Sequence, residues 1–152
     1  MQFVKIHNEQ NMIQAVYDIL RLCGEDMYDN QGLVYWRTPY PMEKIQDDCL
    51  NKEVYVALVD GEPIAIFQLS VSGDMLELSK FAVLPNQSGH GIGGKCLAFM
   101  ENECARRGYK GLCLDVYDKS KVAVNFYERK GFRTVGTKST RYFQVLLMEK
   151  YI

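Results

Sequence analysis

The chain has 152 residues, of which 47% are hydrophobic and 24% charged, and its formal net charge is −1 at pH 7. That length suits one domain with a core of its own, so residues 1–152 are expected to form a single domain. Balanced charge argues against a general nucleic-acid binder, which needs a basic footprint, and no apolar run approaches the length of a membrane span.

Residues 2–6 alternate like a strand and lack the apolar core of a signal peptide. Met12, Ile13, Val16, Ile19 and Leu20 have helical spacing, which predicts a helix over 9–23. Residues 24–41 are polar, aromatic and proline-containing and read as a long loop, with a short helix over 42–50. Val54–Val59 is apolar on both faces and reads as a buried strand. A turn at Asp60-Gly61-Glu62-Pro63 leads to a strand over Ile64–Val71, and Ser72-Gly73-Asp74 leads to a strand over Met75–Leu84. This first part is an antiparallel meander.

The pattern then changes. Ile92, Cys96, Met100 and Cys104 recur at helical spacing and predict a helix over 91–107 that stops at Gly108. Leu112–Val116 reads as a strand. Ser120 is placed to cap a helix that runs to Lys130 and ends at Gly131. Two last strands fall at 132–137 and 141–149. The fold class is therefore α/β with a mixed sheet of about seven mostly antiparallel strands and about four helices.

The five cysteines, Cys23, Cys49, Cys96, Cys104 and Cys113, are odd in number and show no metal-ligand spacing. They read as reduced thiols that act as small hydrophobes, so the expected compartment is the cytoplasm and no metal site is expected. One strand breaks its own alternation. Leu76 and Leu78 share a face, yet Phe81 and Val83 carry the apolar phase onward. Such a slip predicts a β-bulge near Ser79-Lys80, which opens a wedge in the sheet.

Ser88-Gly89-His90-Gly91-Ile92-Gly93-Gly94 joins a strand to a helix. Bare backbone N–H groups at a helix N-terminus attract anions, and glycines let a phosphate come close. Three phosphate motifs compete here. Gly89, Gly91 and Gly94 fit a dinucleotide fingerprint, with Asp115 near the spacing of a ribose carboxylate. Gly89, Gly94 and Lys95 nearly fit a P-loop, but Cys96 replaces the magnesium-binding hydroxyl residue. A nucleotide fold opens with parallel βαβ units, whereas an antiparallel meander opens this chain.

The third reading rests on two segments. Leu78–Gly93 resembles the fourth strand and pyrophosphate loop of the GNAT superfamily of N-acetyltransferases. Asn125-Phe126-Tyr127-Glu128-Arg129-Lys130-Gly131-Phe132 is similar to that family's second motif. The resemblance covers roughly residues 50–149, and the loop departs from the family pattern by placing Ser88 at the Arg/Gln position. It implies a GNAT-like acyl-CoA N-acyltransferase fold with splayed fourth and fifth strands, and acetyl-CoA as cosubstrate. It implies cofactor contacts at Phe81, Ala82, Val83, Ser88, Gly89, His90, Gly91, Ile92, Gly93, Gly94, Asn125 and Lys130. It also implies direct transfer of an acetyl group to a primary amine in a ternary complex. A homodimer is compatible with it, and neither nucleic acid nor membrane is an expected partner.

Acyl transfer to an amine needs a base, a polarised carbonyl and an acid for the leaving thiolate. The resemblance makes Tyr127 the acid, Glu77 the candidate base, and the backbone N–H of Val83 the group that polarises the carbonyl. Tyr28, Tyr35, Trp36, Tyr40 and Tyr142 are aromatics suited to stack on an amine acceptor, and Glu25, Asp26 and Asp29 are suited to attract a cation. A non-catalytic acyl-CoA-binding module and a dinucleotide-binding protein are the alternatives. Thiol release separates the first, and titration with NAD the second.

Overall fold

The apolar periodicities resolve into seven strands and four α-helices: β1 (Gln2–Ile6), α1 (Gln10–Gln31), α2 (Met42–Asn51), β2 (Glu53–Val59), β3 (Glu62–Ser72), β4 (Met75–Val83), α3 (Ile92–Arg106), β5 (Gly111–Tyr117), α4 (Lys121–Arg129), β6 (Arg133–Ser139) and β7 (Gln144–Tyr151). Short 3-10 turns lie at Val34–Trp36 and Pro85–Gln87. The computed structural model describes residues 1–152 apart from the side chain of Tyr35, so that loop aromatic lies outside the described residues. The strands form a mixed sheet in the order β1-β2-β3-β4-β5-β7-β6. The β1–β2, β2–β3, β5–β7 and β6–β7 pairs are antiparallel, and β4–β5 is parallel. This is the mixed, mostly antiparallel sheet that the sequence predicts.

Two predicted details change. The first helix does not stop at Cys23 but runs on to Gln31, where Gly32 at φ 67° donates its N–H to Tyr28 and closes it. Gly24, where the sequence reading begins the loop, is buried inside the helix. Ser120 precedes α4, but its hydroxyl makes no capping hydrogen bond; its carbonyl accepts the Val124 N–H instead.

The chain divides into two compact units, Met1–Ser70 with Lys80–Cys96, and Val71–Ser79 with Leu97–Ile152. In the first, α1 presents Ile13, Val16, Ile19 and Cys23 on one stripe. These residues pack in one cluster with Ile45 of α2, Val54 and Val56 of β2, Ile66 of β3 and Ala82 of β4. Each fully buried aliphatic side chain there contributes about 1.5–3 kcal/mol, which is why the amphipathic stripe decides where α1 sits. In the second unit, β5 buries Leu112, Leu114 and Val116, and α3 buries Leu97, Met100 and Cys104. Lys150 of β7 ties to Glu101 of α3 at 2.6 Å.

The boundary between the units falls inside β4, between Ser79 and Lys80. Lys80 has φ 49°, a left-handed conformation unusual for a side chain of this size. The β4–β5 ladder runs from Met75↔Gly111 to Glu77↔Cys113, ahead of that residue. Past it, Ala82 joins the α1 cluster, while Phe81 turns the other way and meets the Phe67 ring edge-on at 6.2 Å. The irregularity lies where the phase slip predicts it. No helix is long and apolar enough to cross a membrane among the described residues.

The cysteines are free; Cys23, Cys96 and Cys104 are buried and the other two half-buried. Burial pushes the thiols of Cys23 and Cys96 up to about 12 and, with the help of the Glu77 carboxylate, that of Cys113 up to about 11. Thiolate is the reactive form, so these thiols are inert near neutrality. An aromatic disulfide reagent is expected to label the folded protein slowly and all five cysteines in denaturant. Rapid stoichiometric labelling of the folded protein would contradict this burial.

Candidate active site

The β4–α3 connection is built from its backbone. The turn at Pro85–Gln87 uses the Gln87 N–H on Leu84 O at 2.9 Å and the Ser88 N–H on Pro85 O at 3.2 Å. Gly89 and Gly91 then adopt φ 82° and 76°, and a Cβ added at either would meet nothing within 4 Å. Lys95 makes the first helical bond, to Gly91 O at 3.2 Å. The N–H groups of Ile92, Gly93 and Gly94 therefore lack an intrahelical acceptor at the positive end of the α3 dipole. Ser88, Gly89, His90 and Gly91 are exposed, Gly93 and Gly94 are half-buried, and the Ile92 side chain is buried. The open loop and unpaired donors fit a pyrophosphate.

Cys23 of α1 donates its S–H to the Val83 carbonyl at 3.0 Å, and Leu84 N–H goes to Ile64 O of β3 at 2.9 Å. These bonds hold the end of β4. Glu77 is half-buried on β4 opposite Cys113 of β5. Ser79 Oγ is buried with no hydrogen-bond partner among the described residues.

The structure brings Trp36 and Tyr40 together around a side chain of the protein itself. The Lys80 ammonium lies 5.5 Å from the Trp36 ring centroid and 4.7 Å from that of Tyr40. Tyr40 donates its hydroxyl to Asp48 Oδ2 at 2.7 Å, and Gln68 Nε2 donates to the same oxygen at 3.0 Å. Burial and the Asp48 carboxylate push the Tyr40 phenol well up. Desolvation first, then the Lys52 charge, lowers the Lys80 ammonium below the usual lysine range. Tyr28 instead faces Arg37, whose guanidinium lies 4.5 Å from its ring. Tyr142, 81% exposed, lies beyond β6 with Arg141 5.6 Å from its ring. Glu25, Asp26 and Asp29 line a shallow depression with Leu84, Pro85 and Asn86.

On α4, Tyr127 is buried, and its ring meets Phe126 and Phe132 edge-on, each at 5.4 Å. Burial alone pushes its phenol well above the ordinary value, so it stays protonated across the neutral range. Asn125 and Lys130 are exposed, with the Lys130 ammonium 5.9 Å from the Phe126 ring. Among the described residues, no three His, Cys, Asp or Glu side chains are grouped to hold a metal ion.

Lys80, Asp48, Gln68 and Cys23 are the site-side residues that sequence reasoning missed. Gln68 carried a signal, because it is the one strongly polar side chain within the apolar run Ile64–Val71. Nothing in the sequence pairs Lys80 with two rings more than 35 residues earlier in the chain.

The chain thus carries a β4–β5 parallel pair among antiparallel ladders, a left-handed break in β4 and a glycine loop opening α3. The sequence matches the acetyltransferase (GNAT) family model over residues 13–132, and the chain belongs to that family. Its fold is shared by the PaiA N-acetyltransferase of Thermoplasma acidophilum in complex with coenzyme A, at 18% identity and TM-score 0.80, over 100% of both chains. The ribosomal-protein-S18-alanine N-acetyltransferase of Escherichia coli matches at 19% identity and TM-score 0.78, over 99% of this chain and 94% of that one. A GNAT family acetyltransferase of Elizabethkingia anophelis with acetyl-CoA bound matches at 21% identity and TM-score 0.66, over 72% and 82%. No curated protein sequence matches significantly.

Proposed function

We propose that the chain transfers the acetyl group of acetyl-CoA directly to a primary amine, working as one catalytic domain. The observation that carries this reading is the Gly89–Gly91 turn, which leaves open N–H groups at the start of α3 directly after a broken β4. Family membership supports it, as do related folds whose structures hold coenzyme A or acetyl-CoA. Acetyl-CoA supplies the acetyl group as a thioester. Backbone N–H groups of Gly89–Gly94, with Ser88 and His90 beside them, bind its pyrophosphate. Backbone groups of Phe81, Ala82 and Val83 hold the arm as an added strand, and Asn125 and Lys130 add contacts.

Glu77, directly or through a water, takes the proton that the acceptor ammonium must lose. The amine nitrogen then bonds to the acetyl carbon as the carbon–sulfur bond breaks. The Val83 N–H stabilises the charge that gathers on the carbonyl oxygen. Tyr127 gives its phenolic proton to the departing sulfur, and the new amide nitrogen sheds its second proton to solvent, from which Tyr127 is reprotonated. The acceptor contacts assigned here are Trp36 and Tyr40, with Tyr28 and Tyr142 as outer aromatics.

Thiol release from acetyl-CoA with a broad amine panel tests this. Tight CoA binding with no turnover on any amine would favour a silent acyl-CoA-binding module, and a thermal shift with NAD but not with acetyl-CoA would favour a dinucleotide site. Gly91→Ala places a Cβ in a left-handed conformation, at about 1–2 kcal/mol. It is expected to weaken CoA binding roughly ten-fold in a calorimetric titration while leaving the far-UV spectrum unchanged. Unchanged CoA affinity in this variant would remove the loop from the site. Glu77→Gln is expected to lower kcat about 10²-fold with little change in the KM for acetyl-CoA. Unchanged kcat would pass the role of base to a water chain.

A further inference from the structure

We propose that Lys80 selects the acceptor: its ammonium, held between Trp36 and Tyr40, binds a carboxylate on the substrate, so the acceptor is an amine that also bears a free carboxylate. This rests on the acetyltransferase reading above and narrows its substrate class from any primary amine to amino-acid-like ones.

Lys80 is the left-handed residue at the break in β4, immediately ahead of the Phe81–Val83 stretch assigned to the acyl arm. Ala82, two residues on, packs in the α1 cluster, and the Lys80 ammonium lies against the α1–α2 connection. There it meets two ring faces. Ring faces offset part of an ammonium's desolvation but accept none of its hydrogen bonds in the strong sense that an anion does.

Asp48 is the carboxylate of the group, yet its Oδ2 already takes the Tyr40 hydroxyl and the Gln68 amide. Among the described residues it forms no ion pair with Lys80; its charge favours the ammonium from a distance, while desolvation and the Lys52 and Lys44 charges oppose it and win. Gln68 is fully buried, and its Oε1 has no partner among the described residues, so the polar cluster as a whole is under-satisfied. A half-buried ammonium with unfilled donors and like-charged neighbours is costly in the unliganded protein. A bound carboxylate removes that cost, and a second ammonium at the same spot adds to it. Amino acids and carboxylate-bearing peptides fit this chemistry, whereas polyamines and aminoglycosides do not.

The test uses the purified full chain with acetyl-CoA and matched acceptor pairs: β-alanine against ethylamine, lysine against cadaverine, tyrosine against tyramine. For the wild type, kcat/KM is expected to favour the carboxylate member of at least one pair by ten-fold or more. Lys80→Gln brings that ratio near one by raising the KM of the carboxylate acceptor alone, and Lys80→Arg restores much of it. A separate readout does not depend on turnover. Trp36 is the single tryptophan of the chain and stands beside Lys80. Its emission is expected to respond saturably to N-acetyl-β-alanine but not to N-ethylacetamide, and Lys80→Gln abolishes the response. Equal loss on both members of each pair in Lys80→Gln overturns the proposal, as does uniform preference for the decarboxylated amines; both leave the acetyltransferase reading standing. A Trp36 response without thiol release from any amine keeps the anion site and removes the acetyltransferase reading.

Discussion

Tyr127→Phe is expected to lower kcat by roughly 10²-fold while the affinity for CoA stays within about two-fold, since a positioned general acid contributes about 10²–10⁴. The substitution removes one oxygen and keeps the ring. The edge-on contacts with Phe126 and Phe132, each at 5.4 Å, involve the ring itself, so α4 keeps its packing. What is lost is a phenol that burial holds in its protonated form well past neutral pH. Because burial raises it, no fall in rate from its ionisation is expected on the alkaline side until beyond about pH 10, the ordinary tyrosine value. Single-turnover thiol release and calorimetric titration with CoA make the check. A proportional loss of CoA affinity and kcat would assign Tyr127 to the core and leave the sulfur to be protonated by water.

Gly24→Ala is expected to lower the melting temperature by roughly 4–8 °C, although a simple helix argument predicts the opposite sign. Inside a helix, alanine in place of glycine gains about 1 kcal/mol from propensity. Here, however, the added Cβ would fall inside contact distance of the Trp36 carbonyl, which is backbone and cannot rotate away. Forcing atoms into a filled site costs about 1–3 kcal/mol and sometimes more, which outweighs the propensity gain. For a chain of this size each kcal/mol corresponds to about 2–4 °C. The neighbouring Cys23 bonds to Val83 O at 3.0 Å, so a shift of this helical turn also disturbs β4 and the ring beside Lys80. Loss of acetyl transfer is therefore expected to accompany the loss of stability. A higher melting temperature for Gly24→Ala, read by scanning calorimetry, would show that the Trp36 turn yields easily.

Much of the fold is legible in the chain because its signals are local. Strands β1 to β4 follow from alternation or unbroken apolar runs and two tight turns, and α3 and α4 end at Gly108 and Gly131, both at positive φ. The break in β4 is legible too, since a slip of alternation records a change of face. The end of α1 is not. A glycine after an apolar stripe is a stop signal, and only the passage of the Trp36 carbonyl past Gly24 gives that glycine a different reason to be there.

By itself the sequence determined the mixed sheet, the broken strand, the glycine loop at a helix start and, through two motifs in order, the family. Each depends on residues close together in the chain, where periodicity and backbone sterics act directly. The surroundings of Lys80 were decided by the tertiary structure. Trp36 and Tyr40 come from the α1–α2 connection, Asp48 from α2 and Gln68 from β3, and packing α1 and α2 over the sheet brings them together. The charge left only partly compensated in that cluster depends on burial and on which donors occupy Asp48. Those are properties of three-dimensional neighbours, so residue order alone does not disclose them.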